Sequence, residues 1–282
     1  MTRARFGALA LSAVLATAGC GHSAHGPAEL VVGSRAGVEA TLLADVYTGA
    51  LRSYGFPART EQAPNPLSEL DSGAFVVVPT LTGRVLQAYQ PGADARADAQ
   101  VYKAMIGALP EGIAAGDYAT AAEDKPALAV AAATSKDWGA TDLGVLTKHC
   151  EGLIVGSIAG AVVPMQVGSC RLPGPREFPD DAALFAAVKA GEVTAAWTTT
   201  ADPNVPTDLV VLTDGKPALV QAENVVPLYR RNELSTRQLQ AVNEVAGVLD
   251  TAALVDMRRQ VTTGADPQAV ADAWLNEHPL GR

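Results

Sequence analysis

The stretch LVVGSRAGVEATLLADVYTGALRSYG, residues 30–55, decides the fold. Leu30-Val31-Val32 is an unbroken apolar run that reads as a buried strand, and Gly33-Ser34-Arg35 reads as the turn after it. From Glu39 to Tyr54 the apolar spacing changes. Leu42, Leu43, Val46, Tyr47, Ala50, Leu51 and Tyr54 recur at helical intervals, so they share one face. Gly55 stands where a left-handed residue closes a helix. Working outward, Ala58–Glu61 is a second strand, Leu67–Ser72 a short helix, and Phe75–Val78 a third strand that Pro79 ends. Strand, helix, strand, helix, strand is the order of an α/β unit with a mainly parallel sheet.

Helices are expected from Gly83 to Tyr89 and from Ala97 to Leu109. A second α/β unit follows. It has a strand at Ala127–Ala132, a helix at Asp181–Ala190 backed by Gly191, and strands near Thr194–Thr198 and Leu209–Leu212. Asp180-Asp181 is read as a helix start, where negative charge meets the positive end of the helix dipole. The chain ends in helices. Ser235-Thr236-Arg237-Gln238 is a capping box, Thr251 is the expected cap of the next helix, and Asp266-Pro267 opens the last. These helices need a sheet to cover, and the first unit's is nearest. The predicted layout is therefore one lobe of residues 30–126 and 222–282, a second of 127–221, and a cleft between them.

The first residues fix the expected compartment. Arg3 and Arg5 precede an apolar run, Phe6–Thr17, that is too short to span a bilayer, and small residues follow to Ala18-Gly19-Cys20. This resembles a bacterial lipoprotein signal: residues 1–19 removed, Cys20 acylated, and residues 20–29 a tether. Cys150 and Cys170 are then the remaining cysteines, and in an oxidising compartment they are expected to pair. No later apolar stretch is long and unbroken enough for a membrane helix; Gly152–Val167 is interrupted by glycines and Pro164. The expected location is the extracytoplasmic face of the cell membrane, with the folded body soluble and monomeric. A net charge of −9 argues against nucleic acid and anionic lipid as partners.

Four segments carry a family resemblance. They are Val32-Gly33-Ser34-Arg35-Ala36-Gly37-Val38-Glu39, Pro79-Thr80-Leu81-Thr82-Gly83, Trp197-Thr198-Thr199-Thr200-Ala201-Asp202, and Glu223–Arg230 followed by the helical tail to Leu275. Together they resemble the glycine betaine, choline and carnitine (osmoprotectant) binding proteins of ABC importers. The resemblance implies an α/β, two-lobed, type II periplasmic-binding fold that closes by a hinge on its ligand. It also implies an ABC permease as partner and no cofactor. In that family a cage of tyrosine faces holds a quaternary ammonium, and a basic residue with hydroxyl or N–H donors holds a carboxylate.

Carried over residue by residue, the anion end falls on Ser34, Arg35 and Thr82, with Arg35 equally readable as a solvated surface charge. The cation end falls on Trp197, Thr198 and Glu223, and Trp197→Ala is expected to abolish binding while leaving the fold intact. The cage itself is depleted: Leu81, Pro126 and Glu223 stand at tyrosine positions, and only 5% of the chain is aromatic. Either Glu223 offsets a cation beside Trp197, or the ligand lacks a quaternary ammonium. Catalytic patterns are missing: there is no Gly-x-Ser-x-Gly elbow, no His-Glu-x-x-His and no phosphate-binding Gly-Lys-Ser/Thr loop. No metal site is expected, because His22 and His25 lie alone in the tether. The function expected is capture of a small zwitterion or quaternary ammonium for import. The alternative is an envelope lipoprotein of the same fold that senses or binds a partner.

Overall fold

The computed structural model describes residues 29–281, so the expected signal segment, Cys20 and the tether's two histidines lie outside the described residues. β1 (Leu30–Ser34) and α1 (Val38–Ser53) form where the periodicity predicts them. β1 continues through Gly33 rather than turning at it. A side chain there would overlap the Phe75 ring, so glycine lets β1 lie close over that ring. β2 (Ala58–Gln62), α2 (Pro66–Ser72), β3 (Val77–Leu81), α3 (Thr82–Tyr89), α4 (Asp98–Ala108) and β4 (Ile113–Ala115) follow. A second run comprises β5 (Pro126–Ala131), α5 (Ala132–Trp138), β6 (Val155–Ile158), the hairpin β7 (Gln166–Val167) and β8 (Cys170–Arg171), β9 (Arg176–Phe178), α6 (Asp181–Lys189), β10 (Ala195–Thr199) and β11 (Leu209–Leu212). The chain returns with β12 (Val225–Arg230) and ends in α7 (Thr236–Val248), α8 (Thr251–Thr262) and α9 (Pro267–Glu277).

Two five-stranded sheets result, in the orders β2-β1-β3-β12-β4 and β11-β5-β10-β6-β9. In the first sheet the parallel part, β2, β1 and β3, is the part the alternating pattern predicts. In the second, the expected strands β5, β10 and β11 pair antiparallel, and the parallel part is made by β10 with β6 and β9, two short strands the sequence pattern does not show. The antiparallel pairings come from the strands that carry the chain between sheets. β12 runs against β3 and β4, and β5 runs against β10 and β11.

Pro79 does not end β3. The strand continues to Leu81, and Pro79 lies directly opposite Pro227 of β12. Flanking pairs place these prolines at a non-hydrogen-bonded position, since Thr82 N donates to Asn224 O three residues further along. Their missing N–H groups would point away from each other, and β1 pairs with β3 only at Val32 and Val77. On the β4 side Gly116 N donates to Pro227 O, and the return bond that Pro227 cannot give is replaced by the Tyr102 hydroxyl, which donates to Gly116 O at 2.7 Å, so the proline pair is tolerated inside the sheet.

The helix ends follow simple chemistry. Ser235 and Gln238 form the reciprocal capping box, and Asp180 and Asp266 accept the N–H groups of Ala183 and Ala269. Asp250, not Thr251, caps α8, accepting from Ala253 N. The Thr251 hydroxyl instead reaches back to the carbonyls of Ala121 and Glu123.

α1 is the central helix of one core, covered by α7, α8 and α9 on the far side from the sheet. Leu42, Leu43, Tyr47 and Leu51 are fully buried there. Each such side chain stabilises the fold by about 1.5–3 kcal/mol relative to exposure. A separate core under α2, α3 and α4 covers the other face of the first sheet. The second sheet is likewise sandwiched, with Leu128, Val155 and Trp197 on one face and Phe185 and Val188 of α6 on the other. Cys150 and Cys170 are disulfide-bonded, pinning the β7–β8 hairpin to the 3-10 turn Leu143–Thr147 region. Among the described residues no helix is long and apolar enough to cross a membrane.

Candidate ligand cleft

The chain leaves the first sheet at Asp124-Lys125 and returns to it at Ala222–Asn224, so the strand ends beside these segments belong to both lobes. Two hollows lie there. The first, of about 330 Å³, is at the C-terminal ends of β1 and β3, and its walls include Arg35, Glu39, Thr80, Leu81 and Arg84. The second, of about 230 Å³, is at the start of β5 and the ends of β6 and β10, and its walls include Pro126, Ser157, Asp181, Trp197, Thr198 and Asp202. Asp124 joins them: its carboxylate is 3.9 Å from Arg84 of the first hollow, and two residues on Pro126 enters the second. A larger depression of about 990 Å³ lies between the start of α4 and the loop at Asp214–Ala218. It shares no wall residue with the other two, and its buried cation, Lys125, is already taken by Glu123 at 3.1 Å and Asp214 at 3.9 Å.

The first hollow rests on an ionic network. Arg258 of α8 approaches Asp124 at 3.1 Å and Glu39 at 3.5 Å, and its Nη1 donates to Ala201 O of the other lobe at 2.9 Å. Arg84 lies 3.1 Å from Glu39. Burial pushes the Asp124 carboxyl up, but the Arg258 guanidinium outweighs it and holds the group below its ordinary value. Glu39 goes the other way, raised by burial and then by Asp124. Arg258 is 5% exposed, whereas the Arg84 side chain is 56% exposed. Arg35 is also exposed and has no ion pair among the described residues. Glu39, 28% exposed, is already paired with both Arg84 and Arg258, so the freest charge of this hollow is guanidinium, which suits a carboxylate.

The second hollow is built differently. Its outer wall is the aliphatic loop Ala161–Pro164, in which Val162 is fully exposed. Its charged groups are acidic. Asp202 accepts the Thr198 hydroxyl at 2.7 Å and Asn204 N at 2.8 Å, and Asp181 accepts Asn204 Nδ2 at 2.8 Å. Asp181 is pushed up by burial and then by Asp202. This hollow suits a cation.

The residues expected from sequence divide between these places. Arg35 lines the first hollow, and Ser34 lies beside it, buried, with its Oγ taking no hydrogen bond among the described residues. The hydroxyl of Thr82 is fully buried and engaged, donating to Ala222 O at 3.4 Å and accepting from Asn224 N at 3.1 Å, so it ties β3 to β12. Glu223 lines neither hollow. Its carboxylate turns onto the start of α3 and accepts Arg84 N at 2.9 Å, and Gly83 is glycine because a Cβ would collide with that carboxylate. Burial raises its pKa to about 7. Thr198 and Trp197 line the second hollow. Trp197 is only 5% exposed and belongs to the lobe's core, so alanine there would cost about 3–5 kcal/mol of stability, and lost binding in that variant would not by itself report a ligand contact. Sequence reasoning missed Arg84, Asp124, Asp181, Asp202 and Arg258 as site residues. Arg84 and Asp124 had a signal, one following Thr82-Gly83 and the other two residues ahead of Pro126. Arg258 had none.

Two α/β lobes joined by crossing segments, with hollows at their facing strand ends, define the two-lobed type II periplasmic-binding fold. Within it, residues 177–277 match the family model of the substrate binding domain of ABC-type glycine betaine transport systems, OpuAC. The resemblance read from the sequence holds over that stretch. Solved structures of the same fold include apo YehZ from Escherichia coli, at 18% identity and a TM-score of 0.70, covering 89% of this chain and 99% of that one. A glycine betaine/carnitine/choline ABC transporter structure matches at 14% identity and a TM-score of 0.72, over 88% and 98% of the two chains. An ABC-transporter choline binding protein in complex with choline matches at 17% identity and a TM-score of 0.56, over 89% of each. At these identities the likeness is one of fold. A sequence comparison with curated proteins finds no match.

Proposed function

We propose that this chain is the solute-binding component of an ABC importer, anchored through an acylated Cys20 at the extracytoplasmic face of the membrane. In this reading lobe 1 is residues 30–126 and 222–282, lobe 2 is 127–221, and the two close on a small zwitterion. Its carboxylate meets Arg35 and Arg84, and its cationic end enters the hollow beside Trp197 and Thr198. The observation that supports this is the opposed charge of the two hollows: exposed guanidinium on one lobe, carboxylate on the other. A molecule with both charges satisfies both walls at once, and water between them is displaced on closure. An unzwitterionic cation such as choline would leave Arg35 and Arg84 unanswered.

Thermal unfolding of the full mature protein tests the reading. A zwitterion present at 100 times its dissociation constant adds about 2.7 kcal/mol of stability. Carboxylate-bearing zwitterions are expected to raise the melting temperature, choline to leave it unmoved, and Arg35→Gln with Arg84→Gln to abolish the rise. If no zwitterion of two to six carbons moves it, import of such a solute is ruled out and partner binding by an envelope lipoprotein becomes the better account.

A further inference from the structure

We infer that the cationic end of this cleft accepts an ammonium that still carries N–H groups, as in an unmethylated amino acid, and disfavours a quaternary ammonium. The inference rests on the zwitterion reading above and narrows it.

A quaternary ammonium donates no hydrogen bond. It is held by ring faces, whose quadrupoles attract the charge while its methyl groups pack against carbon. This cleft has little of that material. Leu81 stands at one cage position and is 1% exposed, and Pro126 stands at a second. Glu223, at a third, is turned onto the start of α3. Trp197 is a single ring with most of its surface in the lobe's core.

The second hollow instead presents hydrogen-bond acceptors. Asp202 and Asp181 both line it, and their contacts with Thr198 and Asn204 occupy three acceptor positions in all. An ionised carboxylate has about four such positions, so most of the pair's capacity is open. Asp181 Oδ1 accepts nothing among the described residues. Ser157, almost wholly buried on the same wall, adds a hydroxyl. An ammonium with N–H groups reaches these oxygens by charge-assisted bonds, the stronger class. Each methyl group removes one donor and sets the nitrogen further from both carboxylates. Burial, and after it the charge of Asp202, raises Asp181; a cation between the two acids offsets their mutual repulsion.

The test keeps charge and chain length fixed and varies methylation alone. Binding of glycine against glycine betaine, β-alanine against its trimethyl form, and 4-aminobutyrate against its trimethyl form is measured by calorimetry on the mature full-length protein. The unmethylated member of the binding pair is expected to bind at least about tenfold more tightly, equal to about 1.4 kcal/mol. Asp181→Asn, which retains a partner for Asn204, is expected to weaken that member about tenfold and to leave the methylated one unchanged. Equal or tighter binding of the methylated member overturns the inference while the zwitterion reading stands. Equal weakening of both members by Asp181→Asn also overturns it. Binding by neither member of any pair removes both readings.

Discussion

The two hollows treat charge in opposite ways. On the first lobe Arg258, Asp124, Glu39 and Arg84 bind one another; Arg84 and the neighbouring Arg35 are the exposed members, and Glu39 is partly so. On the second, Asp181 and Asp202 are held by one asparagine and one threonine and oppose no cation among the described residues. In the first the charges answer one another within the protein, and its free side is a by-product of where Arg84 stands. The second is left incomplete, with two like charges beside a small cavity. A closed network is expected to matter for folding and an open pair for binding, and substitutions can separate the two.

The largest effect is expected at Arg258. Its side chain is 7% exposed, and it faces Asp124, which is 2% exposed. Nη2 approaches Asp124 at 3.1 Å without the alignment of a hydrogen bond, so the pair is mainly electrostatic. Removing it leaves a carboxylate buried without its main counter-ion, and frees Ala201 O as well. Arg258→Ala is expected to cost about 3–5 kcal/mol in urea unfolding. Asp181→Ala, at the open pair, is expected to stay within about 1 kcal/mol of the parent. Similar losses at both sites would erase the distinction between the lobes.

A smaller effect, confined to one lobe, is expected from the disulfide. Cys150 and Cys170 enclose a loop with a sequence separation of 20, and Cys170, Val167 and Leu172 are buried in the second lobe's core. In the chain-entropy model such a closure stabilises by about 3 kcal/mol. The Cys150→Ser, Cys170→Ser double variant is expected to lose about that much. Hydrogen exchange should accelerate in β6 to β10 and not in α1. Uniform acceleration across both lobes would mean that they unfold as one unit.

The fold was largely legible because its signals are local. The helical spacing from Leu42 to Tyr54, the capping box at Ser235 and the Asp266-Pro267 start each act within a few residues. The misreadings arose where a partner decides. Pro79 looks like a strand end until Pro227 is seen opposite it, and Thr251 looks like a cap until its hydroxyl is found on Ala121 and Glu123. The cleft was less legible for the same reason. Arg35 follows from its place after a strand, but nothing near Arg258 in sequence shows that it meets Asp124, far earlier in the chain. Asp180 and Asp181 are indistinguishable as letters. One caps α6, and the other turns to the hollow. Position in the sequence places Glu223 at the ligand, but only the fold shows its carboxylate turned to the start of α3.

Glu223 supplies the smallest and most diagnostic difference. Asp180 and Glu223 do one job in the two lobes, each placing a carboxylate at a helix start, but Asp180 is exposed and Glu223 half-buried. The folded-state pKa of Glu223, about 7, stands above the ordinary glutamate value of 4.5, chiefly through burial, and the Arg84 N–H only partly offsets this. Below about pH 4.5 the group is protonated in both folded and unfolded chains and carries no penalty. Between that pH and about 7 the unfolded chain releases the proton while the folded chain keeps it, so this group's contribution to stability falls as pH rises. Above about 7 both forms are ionised and the penalty is complete. Glu223→Gln keeps an oxygen for Arg84 N and removes the titration. Its stability relative to the parent should therefore improve steadily from about pH 5 to about pH 8 and then level off. Urea midpoints of the two proteins across that range measure it. A difference that stays flat would mean that Glu223 titrates as an exposed acid does, and that the start of α3 is open to the cleft.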